Sequence, residues 1–270
     1  MQSKILFSLF CLFNLLGFSQ LSSQQEQIID RYLKNGAWNH HYLSKEWDEW
    51  INLGIEKDST IAYLWQQKAL PLWKQRKYQL AISYYDKAVE LDAERWLSRR
   101  GFLKCIFAKD YEGALIDLDT YQREFGFTFE QDHSLDFYRG LCYLQLNQFE
   151  TALEVFENDM AQQKERYGLH TLHYLDRFYL AITHYELGNY PEAVEELNLV
   201  LQEYPNFSDA QFYKAICLSY LGLTAEIQQL IKSGRSNFEK GYTINEDSSI
   251  YEFYPYQISW QWNSVESLLR

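Results

Sequence analysis

"LGNYPEAVEELNLVLQEYP", Leu187 to Pro205, reads as a tight turn, one amphipathic helix and a stop. Gly188 and Asn189 supply the turn, and Pro205 closes the helix because proline lacks the donor that would continue it. Between them Ala193, Leu197, Val200 and Leu201 fall on one helical stripe. Glu192, Glu195 and Glu196 fall on the other side and read as solvating charges. Such a helix can bury its stripe only against a neighbour, so its meaning depends on whether it recurs.

Recurrence is found by taking Ala193 as the anchor. Three residues before it stands an aromatic, Tyr190, and twelve before it a small residue, Ala181. The same three points recur as Ala69, Tyr78 and Ala81, and as Gly140, Phe149 and Ala152. A fourth copy keeps Tyr111 and Ala114 but has its Gly101 thirteen residues back, one residue too far. A fifth keeps Ala215 and replaces the other two points by Thr224 and Ile227. The intervals from Ala81 to Ala114, Ala152, Ala193 and Ile227 are 33, 38, 41 and 34 residues, a base period near 34 with two insertions. Each copy predicts a pair of antiparallel helices whose small residues let the two backbones approach. Ala81, Tyr85 and Ala88 repeat the stripe of the second helix.

These residues resemble the tetratricopeptide repeat, a helix-turn-helix unit with small residues, an aromatic, an alanine and a closing proline at these places. The resemblance spans residues 62–235; one copy keeps the proline, and the fifth has lost the aromatic and the alanine. It implies an all-α fold, an α-solenoid of about five repeats in a right-handed superhelix, with the first helix of each pair lining the concave side. Repeats touch only their neighbours, so both ends need atypical caps. Residues 24–61, with "EQIIDRYLKNG" and "SKEWDEWINLGIEKDS", predict a degenerate helical pair at one end. Residues 236–270 predict an aromatic cap at the other: "GYTINEDSSIYEFYPYQISWQW" is irregular, "QISWQWNSVESLLR" reads as a final helix, and the whole is expected to fold back on the last pair.

Ahead of the repeats, Lys4 precedes an uncharged, largely apolar run from Ile5 to Phe18, with small residues at Gly17 and Ser19 placed as a signal-peptidase site has them. Residues 1–19 are therefore expected to be a signal peptide and the mature chain periplasmic or secreted. The run is shorter than a membrane span needs, and no stable span is expected in the mature chain. A net charge of -12 argues against nucleic acid and against an anionic membrane surface. Cys105, Cys142 and Cys217 are an odd number without close spacing and read as buried thiols rather than a disulfide framework.

No catalytic fingerprint is present: there is no G-x-S-x-G, P-loop, H-E-x-x-H or glycine-rich nucleotide motif. The chain is read as a non-enzyme without a cofactor. His170 and His173 share a helical face, but His184 is three turns further on, too far for one ion, and His40 and His41 point apart; no metal site is expected from these.

The remaining constellation is aromatic. In "DFYRGLCY", "RFYLAITHY" and "QFYKAICLSY" a Phe-Tyr pair precedes the small residue: Phe137 and Tyr138, Phe178 and Tyr179, Phe212 and Tyr213. The resemblance places the Phe position on the concave groove, and Tyr63, Trp65 and Trp73 extend the series into the first repeat. Rigid rings in a groove suit an extended peptide or a partner helix, and they equally suit packing between adjacent pairs. Where some members of the family clamp a terminal carboxylate with Lys and Asn, this chain has Gln66 and Leu70. The expected role is an exported scaffold with an unidentified protein or peptide partner; a glycan or small ligand in the same groove, or a structural part in an envelope assembly, are the alternatives.

Overall fold

The computed structural model describes residues 21–168, 172–259 and 261–263. The signal-peptide expectation and His170 lie outside these residues, as does most of the expected final helix. The chain divides between Ile61 and Ala62 into two units.

In the first unit, Ser22 caps α1 (Ser23–Ile29) reciprocally with Gln25, hydroxyl to amide and amide to side chain, which satisfies two donors that the first turn leaves free. The helix runs on through a π turn at Asp30–Lys34. Ser44 caps α2 (Lys45–Lys57) in the same way on one side. Ile29, Leu33, Trp47 and Ile51 form the buried seam of this unit.

The second unit is built from α3 (Ala62–Lys74), α4 (Tyr78–Leu91), α5 (Ala93–Leu103), α6 (Tyr111–Phe125), α7 (Leu135–Gln145), α8 (Phe149–Tyr167), α9 (Tyr174–Glu186), α10 (Tyr190–Glu203), α11 (Ser208–Tyr220) and α12 (Ile227–Glu239). They pack as five consecutive pairs, and each second helix also packs on the first helix of the next pair. The fold is an all-α solenoid of helix-turn-helix repeats. Among the described residues no helix is long and apolar enough to cross a membrane.

Every irregularity in the period has a local structural cause. The extra residue between Gly101 and Ala114 is absorbed by a π turn, Lys104–Ala108, at the end of α5, so both positions keep their packing. The interval of 38 residues is filled by a two-stranded hairpin between α6 and α7: β1 (Phe129–Glu130) pairs antiparallel with β2 (His133–Ser134), Glu130 opposite His133. The interval of 41 residues lengthens α8 to 19 residues, against 14 in α4 and α10. Loss of the aromatic at Thr224 leaves a 3-10 turn, Thr224–Glu226, ahead of α12.

The turn inside each pair needs one left-handed residue, always two positions before the aromatic or its replacement. These are Arg76, Lys109, Asn147, Gly188 and Gly222, with φ between 56° and 77°. Glycine takes this conformation freely, whereas a side chain there is strained. Arg76 and Lys109 are thus retained against a local penalty.

The small residues do close the pairs. A Cβ on Gly140 would lie 2.4 Å from the Phe156 ring, and one on Gly101 would lie 2.8 Å from Leu118. Ala69, Ala81, Ala114, Ala152, Ala181, Ala193 and Ala215 are fully buried. Cys105, Cys142 and Cys217 are free and buried. On α10, Glu192 and Glu195 are exposed, but Glu196 is half-buried and pairs with Arg177 at 3.0 Å.

Candidate functional site

The first helices α3, α5, α7, α9 and α11 share one face, and aromatic rings run along it from pair to pair. Phe102 of α5 meets Tyr138 of α7 edge-on at 5.2 Å, Phe137 of α7 meets Tyr179 of α9 at 5.4 Å, and Phe178 of α9 meets Tyr213 of α11 at 6.0 Å. Phe212 completes the run against Trp262 at 5.2 Å. Edge-to-face pairs of this kind add directional attraction to the area they bury. All six rings of the Phe-Tyr series are buried. Trp73 is buried between Tyr85 and Phe107, while Tyr63 stacks on Trp96 and Trp65 on Tyr84, both partly buried.

The face is covered by the chain's own C-terminal segment. After α12 the backbone crosses α11, where Tyr242 O accepts from Ser208 N at 2.8 Å, and passes α9, where Tyr174 Oη donates to Asn245. A 3-10 turn at Asp247–Ile250 forms its tip beside the first two pairs. There Arg76 donates to Tyr251 O at 2.6 Å, Lys109 donates to Phe253 O, Tyr78 donates to Glu252, and the Lys74 ammonium sits 3.6 Å above the Tyr251 ring. The segment then returns: Tyr179 donates to Pro255 O at 2.9 Å, Tyr213 to Tyr256 O at 3.2 Å, and Ile258 N to Asp209 at 2.7 Å. Trp262 ends against Gly234 of α12, whose missing side chain makes room for it. This out-and-back strap reaches the last pair and extends the whole length of the first-helix face.

The rings of the Phe-Tyr series therefore pack neighbouring pairs, while two of the three Tyr hydroxyls hold strap carbonyls; the third, on Tyr138, donates to Glu130 O in the hairpin. Arg76 and Lys109, two of the turn residues with positive φ, are among the side chains that grip the strap's tip, with Tyr78 and Lys74. The tip leaves Ile250 and Phe253 outward, 78% and 60% exposed.

Between the tip and the first two pairs a cavity of about 250 Å³ stays open. Its lining includes Gln66, Leu70, Trp73, Arg99, Phe102 and Tyr251. Arg99 is held by Glu130 at 2.7 Å.

A second cluster lies where hairpin, α9 and strap meet. His133, on β2, is 1% exposed and stacks on Phe137 at 3.8 Å with the planes 10° apart. Its Nδ1 is 3.6 Å from Asp176 and its Nε2 3.6 Å from Glu246 of the strap. Burial disfavours the imidazolium, but the two carboxylates outweigh it and raise the group to about 9. The His173 ring lies 4.9 Å away, nearly perpendicular. Sequence reasoning paired His173 with His170 and His184 and missed His133. The cluster joins residues far apart in the chain, and no local spacing signals it.

Two stretches match sequence models of the tetratricopeptide repeat, residues 62–95 over α3 and α4 and residues 177–206 over α9 and α10. No curated protein matches the chain in sequence. Among solved structures, a tetratricopeptide repeat protein from Parabacteroides merdae aligns with a TM-score of 0.60 at 16% identity, covering 92% of this chain and 99% of its own. PilW, a widely conserved type IV pilus biogenesis factor, aligns with a TM-score of 0.61 at 13% identity over 81% of this chain and 96% of its own. YrrB, a repeat protein with an unusual peptide-binding site, aligns with a TM-score of 0.51 at 18% identity over 69% and 91%. At these identities the likeness is one of fold.

Proposed function

We propose that this chain, which belongs to the tetratricopeptide repeat family, is a non-catalytic scaffold that binds a protein or peptide partner on the first-helix face of its repeats. One observation carries the reading: the face already holds a stretch of polypeptide, and four of its own side chains hold main-chain carbonyls of it. Tyr179, Tyr213, Arg76 and Lys109 donate to carbonyls that every peptide offers, so these four contacts do not depend on the strap's side chains. The cavity beside Leu70, Trp73 and Phe102 stays open beside the strap, and its apolar floor with Arg99 at the edge suits one anchoring side chain next to a carbonyl or carboxylate. The peptide-binding description of YrrB supports the same class of partner. The apolar run from Ile5 to Phe18 supports a place of action outside the cytoplasm.

The test is affinity capture from the native envelope with the parent chain and with Leu70→Glu, which places a charge in the cavity at a partly buried position. A reproducible partner of the parent should be lost from the variant while its thermal melt is unchanged. Equal recovery by both would refute the proposed face.

A further inference from the structure

We propose that His133, His173 and Glu246 form a binding site for one divalent transition-metal ion of the zinc class, and that the bound ion pins the strap to the repeats. One ring nitrogen of each histidine and one carboxylate oxygen of Glu246 lie within 4.8 Å of one another. Two imidazoles and a carboxylate are the borderline ligands that select zinc-like ions over calcium or magnesium, which want oxygen shells.

The unsatisfied groups point the same way. Both ring nitrogens of His133 are buried without a hydrogen-bond partner, as is Oδ1 of Asp176. Buried polar atoms are nearly always paired, and three orphans around one point mark a place where something is accommodated. Asp176 is placed as an outer carboxylate: its Oδ2 accepts the His173 main-chain N–H at 2.9 Å, and its Oδ1 is 3.6 Å from His133 Nδ1. If His133 turns Nε2 to the ion, Nδ1–H faces Asp176, the carboxylate-histidine-metal arrangement that fixes ring and tautomer.

Tetrahedral bonds of about 2.0–2.1 Å bring ligand atoms to roughly 3.4 Å from one another, so the cluster must contract by a little over an ångström. His133 is clamped on Phe137 and cannot supply that movement. His173 and Glu246 are only partly buried and can. A fourth position is left for water. The three ligands come from β2, the N-terminal end of α9 and the strap, so coordination ties three segments together. The rival arrangement is a charged His133 paired with Asp176 and Glu246 and no ion at all.

The full chain, stripped with EDTA, is titrated calorimetrically with Zn²⁺ and with Mg²⁺, alongside thermal melts and Co²⁺ absorption spectra. One equivalent of Zn²⁺ should bind and raise the melting temperature, Mg²⁺ should not, and Co²⁺ should give the visible bands of a four-coordinate site. His173→Gln and Glu246→Gln, at partly buried positions, should each weaken Zn²⁺ at least about tenfold. His133→Gln is the stronger test if it folds. A double change at the exposed His40 and His41 should alter nothing. Absence of saturable Zn²⁺ binding, or binding that survives both His173→Gln and Glu246→Gln, would overturn the proposal in favour of the ion pair.

Discussion

Replacing Asp209 separates what its hydrogen bonds contribute from what its charge costs. Asp209 is fully buried in the first turn of α11; Oδ1 accepts Ile258 N–H at 2.7 Å and Oδ2 accepts the Ser208 hydroxyl at 3.2 Å. Burial raises its carboxyl to about 6, against the pull of those hydrogen bonds. A carboxyl raised on folding holds more protons in the folded than in the unfolded chain between about pH 4 and pH 6. Stability therefore falls as pH rises through that window and stays at the lower value above it. Across the whole window the loss amounts to about 3 kcal/mol. Asp209→Asn keeps an acceptor for Ile258 and bears no charge, so it should exceed the parent by up to about 3 kcal/mol at pH 8 and converge with it towards pH 4. Asp209→Ala leaves the Ile258 N–H without its acceptor and should lose about 1–3 kcal/mol relative to Asp209→Asn at every pH. Urea unfolding followed by circular dichroism from pH 4 to pH 8 measures both. A constant difference between parent and Asp209→Asn across that range would refute the assignment of a buried charge.

Gly140→Ala should destabilise by about 1–3 kcal/mol despite the better helix propensity of alanine, because the buried Phe156 ring, 2.4 Å from the new methyl, would have to shift within its packing. Pairing it with Phe156→Leu should recover part of the loss, and strict additivity in denaturant melts would count against this contact. Tyr179→Phe and Tyr213→Phe remove the hydroxyls that hold Pro255 O and Tyr256 O; each should lose about 1–2 kcal/mol. Together they should speed chymotryptic cleavage at the exposed Phe253, and an unchanged cleavage rate would show that these hydroxyls do not hold the strap.

The repeat was readable in sequence because it is written by close packing: a position pressed against the partner helix favours Ala or Gly, and the recurrence of Ala69, Gly140, Ala181 and Ala215 exposes it. The departures from the period were visible as numbers but not as shapes. A π turn at Lys104–Ala108, a hairpin at 129–134 and a longer α8 all change a spacing alike. The Phe-Tyr series was found, yet its division of labour was not, since ring packing and hydroxyl donation are settled by what lies opposite each atom. The strap and the His133 cluster left no local signal. Their contacts join residues up to 175 positions apart, and an irregular segment such as 242–259 has no periodicity to betray its course.

The strap also fixes the order in which the molecule can be completed. A linear array of helical pairs can form progressively during synthesis, each pair settling on the one before. Here the partners of Arg76, Tyr78 and Lys109 are Tyr251, Glu252 and Phe253, which leave the ribosome 144 to 175 residues later. The earliest repeats thus wait for residues 251–253 before their inner face is sealed. A chain that stops short of residue 250 is left with the Trp73 and Phe107 side uncovered, so the sealing of this face reports that synthesis has passed the strap.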